Sequence, residues 1–158
     1  MPLTSKFVLS TKKGKESWAE PIVDHTAKTV RFEIRSGVGG SPEGTVGRKG
    51  ARCLVCETAV PLEHIRSEGR AGRMDCQLMG IVAEGKRDRV FLAPTQAHEA
   101  VAKSAIPVGV PTTLLPKQAL GFRVQAYGMT SHSDLFTQRQ LVALTTLSDL
   151  VLESRQEA

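Results

Sequence analysis

The sequence predicts an α+β fold: a small antiparallel β-rich, zinc-ribbon-like module with short helices, followed by a C-terminal docking helix. Three observations lead there. Residues 29–35 alternate Val30, Phe32 and Ile34 with Arg31, Glu33 and Arg35, the period-2 pattern of a half-buried strand. Cys53-Leu-Val-Cys56 carries two thiols at a spacing that lets both sulfurs reach one tetrahedral Zn²⁺, which is half of a ribbon-type site. Thr137 with Gln140 three residues on makes a capping box, and Phe136 and Leu141 are placed for a hydrophobic staple. Behind that cap, Leu141, Leu144, Leu147, Leu150 and Val151 give one apolar helical stripe.

In chain order, residues 6–11 read as a short strand and Lys12-Lys-Gly-Lys15 as a turn, with Gly14 free to take positive φ. Residues 18–23 form a second strand and residues 29–35 a third. Gly37-Val-Gly-Gly-Ser-Pro-Glu-Gly44 is a long hairpin loop. It is no phosphate cradle: Pro42 stands where a dinucleotide fingerprint needs glycine, and Gly44 is followed by Thr45 rather than by a Walker-type lysine. Residues 61–68 suit a short helix with proline in its first turn and Gly69 just past its end. Residues 77–82 and 89–92 pair around a turn over 84–88. Thr95 caps a helix over 96–105, which Pro107 stops. The partition is therefore a ribbon-like module over 1–105 with a half zinc knuckle at 53–56, an extended connector over 106–126 carrying Pro107, Pro111 and Pro116, and a capped amphipathic helix region over 127–158.

Composition narrows the function classes. The chain has 158 residues, enough for one ordinary domain or two very small ones. Hydrophobic residues make up 41% and aromatics 4%, which predicts a largely aliphatic core. Residues 1–89 hold 16 Lys/Arg against 11 Asp/Glu, while residues 90–158 hold 5 against 5, so the net charge of +5 sits wholly in the front half. Such a surplus suits a polyanionic partner, usually nucleic acid, or an ordinary basic solvated face. Three cysteines, two of them closely spaced, are no disulfide framework and suit a reducing compartment. No signal-peptide run and no stretch long enough for a membrane span occur, so a cytoplasmic protein is expected.

The candidate chemistry is limited. Cys53 and Cys56 are the candidate metal ligands, and His25, His64 and Cys76 are options for completing the set, although each is more commonly an ordinary surface or packed residue. Arg48, Lys49 and Arg52 beside the cysteine pair, with Arg70 and Arg73 in the basic glycine-bearing turn after residue 68, are the candidate phosphate contacts. No nucleophile elbow and no acid–base carboxylate pair appears. Asp134 belongs to the turn leading into the last helix.

Tyr127-Gly-Met-Thr130, Asp134-Leu-Phe-Thr137, Arg139-Gln-Leu141, Ala143-Leu-Thr-Thr146 and Ser148-Asp-Leu-Val151 closely resemble one family. It comprises the large bacterial adenine-specific DNA methyltransferases that contain a zinc ribbon and are often found near phage-defence genes. Residues 29–37, Gly44-Thr-Val, residues 50–56, Glu68-Gly-Arg-Ala-Gly-Arg73, Ile81-Val-Ala-Glu-Gly-Lys86 and Val90-Phe-Leu-Ala-Pro-Thr95 are similar to the same family, so the resemblance covers nearly the whole chain.

The resemblance implies methyl transfer from S-adenosylmethionine to adenine N6 in DNA, carried out by a protein several times longer. In relatives the cofactor-binding glycine motif lies upstream of the matched region and the Asp-Pro-Pro-Tyr catalytic motif downstream. Neither occurs here, since no proline follows an Asp. The resemblance also implies a first cysteine pair ahead of Met1, leaving the zinc site incomplete within this sequence, and a glycine after the second pair where this chain has Glu57. The expectation is a middle, DNA-facing structural segment of such an enzyme, split or truncated, not catalytic alone. S-adenosylmethionine would then belong to the full-length enzyme, and the partners would be DNA and the remaining parts of the methyltransferase. The alternatives are a free-standing nucleic-acid-binding module and a non-functional remnant.

Overall fold

A computed structural model describes residues 1–117 and 123–156. The fold is α+β, built from three small antiparallel sheets and three helices. The strands are β1 (Val8–Ser10), β2 (Ser17–Asp24), β3 (Thr29–Ser36), β4 (Val46–Gly47), β5 (Gly50–Arg52), β6 (Ala59–Pro61), β7 (Ile81–Glu84) and β8 (Arg89–Leu92). The helices are α1 (Leu62–Arg70), α2 (Gln96–Lys103) and α3 (Gln138–Gln156), with 3₁₀ turns at Val124–Tyr127 and His132–Leu135. The sheets run β1-β2-β3, β4-β5-β6 and β7-β8. Two units are distinguished, one of residues 1–64 and 77–96, the other of residues 65–76 and 97–158.

In the first unit, β2 and β3 pair in register from Ser17↔Ser36 to Asp24↔Thr29. The period-2 pattern buries Phe32 and leaves Arg31 and Arg35 exposed. Pro21 sits within β2 because β1 pairs only with Ser17 and Trp18, so the proline's missing N–H falls on an uncovered edge. The centre is aromatic rather than aliphatic. Phe7 is fully buried with its ring 6.1 Å from Phe32, Ala19 lies beside them, and Leu9, Val30, Ile34, Leu54 and Met79 surround them. Four percent aromatics suffice when two of them meet at one point.

The start of the chain is laced to β4. The Thr4 N–H donates to Oγ1 of the buried Thr45 at 3.0 Å, the Thr45 hydroxyl donates to the Pro2 carbonyl at 2.8 Å, and the Thr45 N–H donates to the Thr4 carbonyl at 2.8 Å. A Cβ on Gly44 would stand 2.2 Å from the Ser5 carbonyl oxygen, so this close approach of two backbones requires glycine.

In the second unit, α1 ends at Arg70, two residues later than the glycine pattern suggests. Gly69 lies inside the helix, and the terminator is Gly72, whose φ is +66°. The Gly72 N–H donates to Gly69 O and the Arg73 N–H to Glu68 O, each at 3.0 Å, which is a Schellman motif. Gly69 has a different reason for being glycine. A Cβ there would lie 2.4 Å from the Tyr127 carbonyl oxygen, and one on Gly128 would lie 2.7 Å from Gly69 O. The Arg66 guanidinium sits 5.8 Å from the Tyr127 ring centroid.

The cap of α3 matches the sequence. The Thr137 N–H donates to Gln140 Oε1 at 2.8 Å, and the Gln140 N–H donates back to Thr137 Oγ1 at 3.4 Å. Asp134 accepts from the Thr130 and Ser131 N–H groups at 2.7 and 2.8 Å, which places it in the turn before the helix. Those two amides, Ser131's first, hold its carboxyl below the usual carboxylate range. Leu141 is buried, whereas Leu144, Leu147, Leu150 and Val151 are exposed by 47–66%. The connector expected over 106–126 lies partly outside the described residues. Within them, Leu115 is buried and its N–H donates to Thr130 O at 2.8 Å.

Candidate functional site

The cysteine pair occupies the turn joining β5 to β6. The Cys53 N–H donates to Thr58 O at 3.0 Å and the Glu57 N–H donates to Cys53 O at 2.9 Å, so the chain folds tightly back under both thiols. That turn needs a left-handed residue. Glu57 supplies it at φ +60°, at a steric cost of about 1–2 kcal/mol that glycine would not incur. Leu54, between the thiols, packs on the Phe7–Phe32 cluster and anchors the knuckle to the main sheet.

The Cys56 thiol is exposed and lies 3.3 Å from the Thr58 hydroxyl. Its pKa is lowered, first by that hydroxyl, then by the Thr58 N–H, then by Cys53. All three favour a thiolate, the form that binds metal. His25 does not aim a free ring at the pair, because its Nδ1 lies 3.0 Å from the Val55 carbonyl oxygen. Among the described residues no group of three or more His, Cys, Asp or Glu side chains could hold a metal ion. The two thiols of the pair fall short of the four ligands a closed structural zinc site takes, so the described residues do not by themselves fit a resident Zn²⁺. After dialysis against a mild chelator, the chain is expected to retain well under one equivalent of zinc. A full equivalent, lost on Cys53→Ser, would establish a complete ligand set.

The five cations selected from sequence are not alike. Arg48 and Lys49 are the two tip residues of the β4–β5 hairpin, between the paired Gly47 and Gly50. Both are exposed and, among the described residues, have no ion-pair partner. Arg52 lies at the far end of β5 and pairs with Glu57 at 2.9 Å, an exposed contact worth about 0–1 kcal/mol. Three residues of strand, about 10 Å, separate the tip from the knuckle. Arg70 and Arg73 belong to the second unit. Arg73 is held in a two-pronged pair with Glu68, at 2.8 Å from Nε and 2.6 Å from Nη2, and Arg70 donates to Ala126 O at 3.3 Å. The amides of residues 71–73 are engaged in terminating α1, not turned out towards a ligand.

Sequence reasoning passed over a larger cationic cluster. From sequence, residues 12–15 and 84–88 read only as turns and Arg89 as the start of a strand; the signal is their repeated basic residues. The fold brings them together, since Lys12 pairs with Asp88 at 3.3 Å and Lys15 pairs with the same carboxylate. Among the described residues no helix is long and apolar enough to cross a membrane. No family model, curated protein or solved structure matches the chain.

Proposed function

We propose that this chain is a DNA-facing, structural segment of an adenine-N6 DNA methyltransferase, without catalytic machinery of its own and working in the cytoplasm. The methyltransferase part of the reading rests on the sequence resemblance. The observation that carries it further is that two separately matching stretches interlock: Glu68-Gly-Arg-Ala-Gly-Arg73 meets Tyr127-Gly-Met-Thr130 through Gly69 and Gly128. Motifs nearly sixty residues apart that need each other's missing side chains are what one shared fold requires. The DNA-facing part is supported by the exposed Arg48-Lys49 tip on the hairpin whose other end is the knuckle. The exposed leucines of α3 suit a helix that docks on the catalytic portion. In the whole enzyme, S-adenosylmethionine would supply the methyl group and the adenine would be flipped out of the stack to receive it.

Calorimetry of the purified chain with S-adenosylmethionine is expected to show no stoichiometric binding. Fluorescence anisotropy with a labelled duplex at low salt is expected to show binding with little sequence preference. One equivalent of bound cofactor would overturn the non-catalytic part of this reading, and absence of duplex binding at low salt would overturn the DNA-facing part.

A further inference from the structure

The β1–β2 turn and the β7–β8 turn lie in the same unit although more than seventy residues separate them. The Lys15 N–H closes the first turn by donating to the Lys12 carbonyl at 2.8 Å, with Gly14 at φ +74° as a type II turn demands. The second is closed by the Gly85 N–H donating to Asp88 O at 2.8 Å. Asp88 pins the two together by accepting from both Lys12 and Lys15.

Around that carboxylate stand Lys12, Lys13, Lys15, Lys86, Arg87 and Arg89, all exposed. Six cations against one Asp give residues 12–15 and 85–89 a net charge of +5, the formal net charge of the whole chain. Among the described residues Lys13, Lys86, Arg87 and Arg89 have no ion-pair partner. With the flanking Glu16 and Glu84 included, residues 12–16 and 84–89 keep a net charge of +3. Glu84 stands across from Arg89 in the strand register without pairing to it, and Glu16 has one carboxylate oxygen buried. Between the turns runs a groove lined by Lys12, Lys15 and Arg89 together with Ser10 and the apolar Leu9, Val90 and Phe91, while the Ser17 and Ser36 hydroxyls at its wall lie 3.0 Å apart and pair with each other.

We propose that these two turns form the main nucleic-acid contact of the chain, gripping the sugar–phosphate backbone of double-stranded DNA. This deepens the DNA-facing reading and rests on it. It moves the principal contact away from Arg52 and Arg73, which are engaged by Glu57 and Glu68, to six cations of which only Lys12 and Lys15 pair with a carboxylate, that of Asp88, among the described residues. The chemistry selects the ligand. Dense exposed Lys and Arg recognise phosphates without reading bases. The turns themselves carry no aromatic, and among the described residues Phe91 is the one ring lining the groove between them, so there is no run of rings on which successive unstacked bases could lie and a duplex suits the site better than a single strand. The apolar residues at the site, Leu9, Val90 and Phe91, line the groove behind the turns rather than the turns themselves, so a lipid surface would be met first by charge.

The test is anisotropy with a labelled duplex of arbitrary sequence across a salt series. Lys86→Ala/Arg87→Ala/Arg89→Ala is compared with Arg48→Ala/Lys49→Ala/Arg52→Ala, which removes the same charge. Each lost phosphate contact lowers the log–log salt slope by about one, so the first variant should lose about three units and bind on the order of a hundredfold more weakly near 0.1 M salt. Lys12→Ala/Lys13→Ala, on the other turn, should lose slope in the same sense and covers the case in which the first variant misfolds, as judged by circular dichroism. If the Arg48 variant takes the loss and both turn variants bind like the unsubstituted chain, this proposal is wrong while the DNA-facing reading stands. If the unsubstituted chain binds no duplex at low salt, the DNA-facing reading fails and the proposal with it. Turn-dependent attachment to phosphatidylserine vesicles, or to duplex RNA in preference to DNA, overturns the choice of DNA.

Discussion

Phe7→Ala is expected to lower the unfolding free energy of the first unit by about 4 kcal/mol, within the range seen when a buried phenylalanine is truncated. The side chain is wholly inaccessible, and the cluster it forms with Ala19 on β2 and Phe32 on β3 is packed by residues from several parts of the chain, among them Ile34 on β3, Leu54 between the cysteines and Met79 before β7. The cavity would therefore open where several segments meet, and no single one could collapse to fill it. A domain of this size has about 5–15 kcal/mol in total, so the loss is a large share. Because Leu54 sits between Cys53 and Cys56, the same substitution should loosen the knuckle as well. Urea unfolding followed by the fluorescence of Trp18, the only tryptophan, reports on β2 directly. A change below about 1 kcal/mol would show that Phe7 is not the centre of this core.

What was legible in the sequence was local. The alternation at Val30, Phe32 and Ile34 marks β3 because eight residues are enough to display a period of two. Thr137 and Gln140 mark the start of α3 because a capping box lies entirely within four residues. The strands β4, β5 and β6 were not legible, being two or three residues long and too short to show any period. Gly69 and Gly72 look alike in sequence. One is glycine because Tyr127 leaves no room and the other because its φ is positive, and only the tertiary contact separates the two reasons. The candidate site shows the same division. Cys53 and Cys56 were found from spacing, and so was the basic run beside them. That Arg52 and Arg73 face Glu57 and Glu68 depends on side-chain geometry. That Lys12 and Lys15 share Asp88 depends on a pairing across more than seventy residues, which charge counting along the chain does not reveal. The two units are likewise each made of two separate segments, a division that a linear partition of the sequence does not express.

Gly69→Ala is expected to destabilise the second unit by about 2–3 kcal/mol, and the sign carries the information. Gly69 is within α1, where alanine ordinarily gains about 0.5–1 kcal/mol over glycine. Here the added methyl would lie 2.4 Å from the Tyr127 carbonyl oxygen and 3.0 Å from its carbon. Those are backbone atoms and cannot swing aside as a flexible side chain would, so overpacking at about 1–3 kcal/mol or more has to exceed the helical gain. Gly128→Ala meets the same wall from the other side. Its Cβ would stand 2.7 Å from Gly69 O, and its φ of +88° adds a left-handed penalty of about 1–2 kcal/mol. Separating the two backbones would also weaken the Arg70 bond to Ala126 O and the stacking of Arg66 on Tyr127. Once one substitution has forced them apart, the second has less to break, so the double variant should cost less than the sum of the singles. Urea midpoints for the three variants decide the matter. If Gly69→Ala raised the midpoint, as helix propensity alone dictates, the two stretches would not be interlocked, and the observation offered in support of the proposed function would be gone.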